Sequence, residues 1–350
     1  MILKRFMRGL PFSIPMPVNS ILVWDTQQRQ ISRPLYSLEG LQGASLLTAR
    51  TIVVEKLKDL LHLERFPKNF PGTASFVERT SLTKVIREKW LLETEPGLKI
   101  PFYLLIPKNR TGRLPVILVL HGHSAGKIET AGILPSYHNG NALALAEAGY
   151  ITAAPDFRGF GELGWTGNWD DSQGHAYGKN IHVQDVLNNL ERGRTVLGTY
   201  LYDLDRLLGY LKTRSEVDPK QIGVAGTSMG ADIAIWFAAL NPEIRAIAAS
   251  HPPILDEPLK LSAQNPAHAC TLAIPDLTSF FDPATIPLLV APAAMLISYN
   301  DGQQSNYNFE RIRKFYGVNG HSNKVDRVVR HSGGENFDNA RAIEWFKKWL

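Results

Sequence analysis

The sequence predicts an α/β fold, a mostly parallel central sheet with helices on both faces and an N-terminal helical extension. Three observations predict it. Residues 114–120 (LPVILVL) are almost purely apolar and rich in β-branched side chains, as suits a parallel strand buried on both faces. From about residue 81 onward, strand-like runs alternate with helix-period stretches, a pattern that builds parallel sheets covered by helices. Short distinctive loops follow several of the runs, where the carboxyl ends of parallel strands carry chemistry.

In chain order, residues 44–64 read as a helix with Leu57, Leu60, Leu61 and Leu63 on or near one face, ended by Pro67 and Pro71. Runs at 83–93 and 98–106 form strands joined at Glu95-Pro96-Gly97. Residues 150–155 make another strand. Leu197, Leu201, Leu204, Leu208 and Leu211 form a helical stripe over 195–213. Short strands at 221–226 and 244–249 flank a helix at 229–240 that stops before Pro242. Strands at 293–298 and 324–330 precede a last helix, which starts near Asp338 and buries Ile343, Phe346 and Leu350. The organisation is an arm and helical extension over 1–80 and a main domain over 81–350, with 160–185 as a pocket-covering loop.

Composition narrows the function classes. With 350 residues, 44% of them hydrophobic and 20% charged, the chain is globular rather than disordered. One cysteine, Cys270, excludes an intrachain disulfide and Cys-rich zinc sites. The net charge of +5 is scattered, whereas a nucleic-acid site wants one concentrated basic face. No apolar run approaches the length of a membrane span. The early positive charge is followed by Pro11, Pro15 and Pro17, which break a signal-like apolar stretch, so the expectation is a cytoplasmic protein with an N-terminal arm.

The sharpest motif is Gly226-Thr227-Ser228-Met229-Gly230, between a strand and a helix. Such a turn needs residues without side chains at its two ends and pushes the Ser228 hydroxyl out at a helix N-terminus, as a nucleophile requires. The second motif, His121-Gly122-His123-Ser124-Ala125-Gly126, can aim backbone N–H groups at a developing oxyanion, with His123 and Met229 as the two donors. Two histidines one residue apart after a strand also fit the metal ligands of an amidohydrolase barrel, a rival that leaves Ser228 unexplained. The third motif, residues 156–162 (DFRGFGE), reads as structural, with Arg158 forking onto carboxylates or carbonyls. Residues 160–185 hold Trp165, Trp169, His175, Tyr177 and His182, read as a lid or pocket wall.

These motifs, in this order, resemble the α/β-hydrolase superfamily, close to its dienelactone-hydrolase-like and acetylxylan-esterase-like members, over about residues 81–350. The resemblance implies a Ser, acid, His triad in chain order without metal or cofactor, and a small-molecule acyl substrate; it leaves oligomerisation open. Asp301, in Tyr299-Asn300-Asp301-Gly302, resembles the acid turn, ahead of Asp282 and Asp276. The chain departs from the family in the last loop, His331-Ser332-Gly333-Gly334-Glu335-Asn336-Phe337, where Glu335 stands at the usual histidine position. An ionised carboxylate has no N–H to offer Asp301 and is about two units less basic than imidazole. His331 is then the provisional base; His321 precedes the strand, at the wrong end of the sheet. His138, His251 and His268 read as structural or pocket-lining. The expected activity is a serine hydrolase cleaving a carboxylic ester, and the alternative is a hydrolase-fold protein with a broken triad that binds a ligand or runs other chemistry.

Overall fold

The computed structural model describes residues 36–164, 179–255, 269–331 and 334–350. These build one sheet of nine strands in the order β1-β2-β3-β5-β4-β6-β7-β8-β9. The strands are β1 (Ala74–Ser81), β2 (Val85–Glu95), β3 (Leu98–Pro107), β4 (Leu114–Leu120), β5 (Ile151–Pro155), β6 (Val217–Thr227), β7 (Ile244–Ser250), β8 (Ala294–Asn300) and β9 (Val325–Arg330). Strands β1, β2, β3 and β5 pair antiparallel, whereas β5-β4-β6-β7-β8-β9 run parallel. The order reverses at β4, which lies between β5 and β6. That reversal opens a crevice at the carboxyl ends of β4 and β6, where the HGH loop and Ser228 sit.

Strand β4 shows why the sheet takes helices on both faces. Val116, Leu118 and Leu120 join one apolar cluster, while Ile117 and Val119 join the other. The first cluster lies under α1 (Gly43–Leu60), α4 (Val196–Thr213), α5 (Met229–Leu240) and α6 (Gln303–Val318). The second lies under α2 (Asn141–Glu147) and α7 (Asn339–Trp349). The α4 stripe of Leu197, Leu201, Leu204, Leu208 and Leu211 is buried along its length, and the Thr195 side chain caps it by accepting from the Gly198 N–H at 2.9 Å. On α7, Phe346 is fully buried and Ile343 and Leu350 are half-buried against the same cluster. Leu57 and Leu61 enter the first cluster, so α1 packs on the main body.

Helix α2 has no counterpart in the pattern read from the sequence, and three further elements differ from it. Strand β1 is added upstream of residue 81. It is an edge strand, almost wholly exposed, and lacks the apolar alternation that marks a buried face. Helix α6 is polar overall, and among its described side chains Phe309, Ile312, Phe315 and Tyr316 enter the apolar core. Helix α3 (Lys179–Glu191) occupies the end of the stretch read as a covering loop.

Two buried ion clusters hold the loops that follow β4 and β5. The Lys127 ammonium is fully buried; it bonds Asp156 Oδ2 at 3.0 Å and also Glu162, while Lys89 reaches Glu162 at 3.0 Å. Arg158 makes a fork on Asp203, with both bonds at 2.7 Å, and reaches Glu95 at 2.7 Å. This is the structural role expected of Arg158. Removing one member of such a buried cluster strands the opposite charge. Lys127→Ala is expected to lower unfolding free energy by about 3–5 kcal/mol. Urea denaturation checks this; a loss below about 1 kcal/mol would show that the loops do not depend on the cluster.

Candidate active site

Ser228 is the single residue between β6 and α5, with φ 54° and ψ −120°. Non-glycine residues rarely adopt positive φ, so the surroundings must hold the strain. They do so by close approach. A Cβ on Gly226 would collide with the Gly230 carbonyl oxygen, and one on Gly230 with the Leu120 carbonyl oxygen of β4. The Ser228 N–H donates to Ser250 O at 2.8 Å, and Ser228 O accepts from Ala231 N at 2.9 Å. Deeper in α5, the buried Asp232 carboxylate accepts from Ile254 N at 2.9 Å and Thr271 Oγ1 at 3.0 Å, tying the helix to flanking segments. Ser228 is 5% exposed and stands at the N-terminus of α5, whose unsatisfied N–H groups favour negative charge.

The loop after β4 lies alongside. Leu120 pairs with Gly226, so the register carries Gly122 next to Ser228. A Cβ on Gly122 would collide with Tyr137 Oη and come within 3.2 Å of Ser228 Cβ. His121 is fully buried with both ring nitrogens engaged: Nε2 accepts from Phe157 N at 3.1 Å, and Nδ1 donates to Gly122 O at 2.7 Å. Burial pushes its pKa down to about 3. His138, also fully buried, accepts from Gly122 N at Nε2, 2.9 Å away. His123 Nε2 lies 3.4 Å from the buried Cys270 Sγ, and burial pushes that thiol up. The two histidines of the motif therefore do not converge on a common point. Among the described residues no group of three or more His, Cys, Asp or Glu side chains is placed to hold a metal ion.

Asp301 and His331 meet at the outer edge. Asp301 N donates to Arg330 O at 2.9 Å, and His331 Nδ1 lies 3.3 Å from Asp301 Oδ2. The Asn306 amide donates to Asp301 Oδ1 at 2.7 Å. The pair is open to solvent, with the His331 side chain 80% and the Asp301 side chain 46% exposed. The sheet register shows how far it is from Ser228. Thr227, Ser250, Ser298 and Val328 lie in one row across β6 to β9, so His331 stands three strands away and two residues farther out than Ser228. At about 4.8 Å per strand and 3.3 Å per residue, their α-carbons are about 16 Å apart. Among the described residues, no hydrogen bond joins Ser228 Oγ to an imidazole.

Glu335 lies on a different path. Phe337 N donates to Tyr137 O at 2.9 Å, and the Asn139 amide donates to Phe337 O at 2.9 Å, pinning the last loop to the segment that covers Gly122. Burial pushes the Tyr137 hydroxyl up, and the Glu335 and Glu129 carboxylates add to it. The loop position resembling the family's histidine thus lies near the Ser228 crevice, whereas His331 lies outside it.

The structure places the other candidates as follows. Asp282 caps a short helix by accepting from Ala284 N at 3.0 Å and pairs with Arg311 at 2.9 Å, a structural role. His321 precedes β9, as its sequence position indicated. His251, which follows β7 beside Ser228, is buried between Ser250 Oγ at 3.0 Å and Asn300 Oδ1 at 3.3 Å, and burial holds it below its ordinary value. Trp165, Trp169, His175, Tyr177 and His268, and the His182 side chain, lie outside the described residues. Sequence reasoning missed Tyr137 and Glu129. Neither sits in a motif, and only the folded path of 127–141 brings them to Gly122.

This geometry agrees with the comparisons. Residues 49–341 match the Abhydrolase family. The chain belongs to that family. As an Abhydrolase family member it is 30% identical over 285 residues to YtaP of Bacillus subtilis (strain 168), provisionally named a hydrolase, covering 76% of this chain and 88% of that one. A Bacteroides fragilis NCTC 9343 structure, provisionally named an acetyl xylan esterase, superposes with a TM-score of 0.73 at 19% identity, over 94% of this chain and 89% of that one. A glucuronoyl esterase from Solibacter usitatus superposes with a TM-score of 0.59 at 14% identity, over 90% and 97%. The nine-stranded open sheet of this Abhydrolase member also disposes of the barrel rival.

The buried neutral His121 makes stability pH-dependent. Its folded pKa of about 3 is below the ordinary 6.5, so the unfolded chain binds the extra proton first. Its contribution is fully present above about pH 6.5 and is lost as pH falls toward about 3, with an upper bound of about 4–5 kcal/mol. Denaturant unfolding across that window is expected to show the decline, and His121→Asn to flatten it. An unchanged slope in the variant would contradict the assignment.

Proposed function

We propose that this chain hydrolyses a carboxylic ester or related acyl compound, with Ser228 as nucleophile. The observation that carries the proposal is the strained Ser228 turn at the α5 N-terminus, set against a loop whose backbone is held on both sides. In this reading the turn is a nucleophile elbow. Ser228 Oγ attacks the acyl carbon and its proton passes to an imidazole. The developing oxyanion lies between the Met229 N–H, which the first turn of α5 cannot satisfy, and the His123 N–H. The imidazolium returns the proton to the leaving alkoxide, and water repeats the sequence to release the acid.

Asp301 and His331 are the acid–imidazole pair proposed for this step, and the role requires the segment after β9 to carry His331 inward from its place about 16 Å from Ser228. Nδ1 faces the acid, which leaves Nε2 for the serine, the division of labour that a triad needs. A specific observation also favours a second reading. His331 stands three strands from Ser228 and is largely exposed, while the Glu335 loop is pinned near the crevice. In that reading the triad is broken, and the crevice binds a ligand or runs chemistry other than ester hydrolysis.

Hydrolysis of a short p-nitrophenyl ester series separates the two. For a working triad, Ser228→Ala and His331→Ala are each expected to lower kcat by at least about 10³-fold. Wild type no faster than Ser228→Ala would instead establish the second reading. In that case Glu335→His, which returns an imidazole to the family position, is expected to raise kcat/KM at least about tenfold.

A further inference from the structure

We propose that Glu129 and His138 are positioning residues that set the oxyanion loop through a single carboxylate; this rests on the Ser228 reading above. The bonding pattern fixes the proton. His138 Nε2 accepts from the Gly122 N–H at 2.9 Å, so it carries no hydrogen and the ring proton sits on Nδ1. Nδ1 lies 2.9 Å from Glu129 Oε2 and 2.9 Å from Ser136 Oγ. The other carboxylate oxygen, Glu129 Oε1, accepts the Ala125 N–H at 3.0 Å. Glu129 thus holds Ala125 directly and Gly122 through the imidazole, gripping the loop on both sides of His123.

The grip has a directional consequence. Gly122 O is held by His121 Nδ1 at 2.7 Å, while Gly122 N–H is held by His138. The Gly122 carbonyl and the His123 N–H share one trans peptide plane and point in opposite directions. Holding the carbonyl inward on His121 therefore aims the His123 N–H the other way, and His138 prevents the preceding peptide from rotating. The Tyr137 ring packs on His138 with centroids 4.1 Å apart, completing the support. Burial alone would raise the Glu129 carboxyl, but the bonds from His138, Ala125 and Ser136 outweigh it and hold the group below its ordinary range.

The test compares wild type with His138→Ala, His138→Gln and Glu129→Gln in two assays. The first is p-nitrophenyl acetate turnover. His138→Ala is expected to lower kcat about 10²-fold with KM nearly unchanged, the size of one lost oxyanion donor. His138→Gln, whose amide oxygen accepts from Gly122 and whose NH₂ donates to Glu129, is expected to recover at least tenfold of that. The second is hydrogen–deuterium exchange followed by mass spectrometry. Exchange over residues 121–126 is expected to quicken at least tenfold in His138→Ala, with the strands of the sheet unchanged. If His138→Ala does not fold, Glu129→Gln carries the exchange assay with the same expectation. Unchanged exchange over 121–126 in a folded variant, or His138→Ala keeping kcat within twofold of an active wild type, overturns the proposal. A wild type inactive on the ester counts against the Ser228 reading alone, and the exchange assay still decides the positioning role.

Discussion

Everything at the candidate site depends on how closely β4, β6 and α5 approach one another around Ser228. Backbone carbonyls of Leu120 and Gly230 occupy the space that side chains at positions 230 and 226 would need. That contact lets the chain turn from strand to helix in one residue, and it leaves Ser228 no relaxed backbone conformation. The strain is supported by packing on every side, from the Ser250 carbonyl under the Ser228 N–H to the buried Asp232 that ties α5 in place. A loosely packed turn would relax, and the hydroxyl would lose its defined direction at the helix N-terminus.

The polar arrangement around this turn serves direction more than charge. His121 bridges the Gly122 and Phe157 backbone, and His138 links the Gly122 backbone to the Glu129 and Ser136 side chains, so both histidines are engaged in holding peptides. Two further ion clusters stand behind these bonds. Lys127, Asp156 and Glu162 fasten the loops after β4 and β5 to one another, and Arg158 fastens the second of these to Asp203 on α4 and Glu95 on β2. The crevice therefore rests on rigid loops, as preorganised electrostatic stabilisation requires.

Much of this was legible in the sequence. Strands β2 to β9, the α4 stripe and the α5 boundaries follow from apolar periodicity and from Pro and Gly punctuation, because buried elements carry their environment in their side chains. Strand β1 and helix α6 were not legible in that way: an exposed edge strand and a polar helix leave little periodic signal. The site divides similarly. Gly226, Ser228 and Gly230 could be placed because one tight turn demands those residue types in that spacing. Asp301 and His331 could be named and are brought together, but their distance from Ser228 is a matter of register across three strand gaps. No local pattern encodes that distance. Glu129, Tyr137 and His138 reach Gly122 only through the folded path of an irregular segment.

The central claim is that Ser228 is an activated nucleophile, and covalent capture tests it most directly. The folded protein would be treated with a fluorophosphonate and its mass and tryptic peptides measured, beside Ser228→Ala. The account predicts a single adduct, on the peptide containing Ser228, that is absent from the variant. No adduct on the folded wild type, or equal labelling of Ser228→Ala, would contradict it.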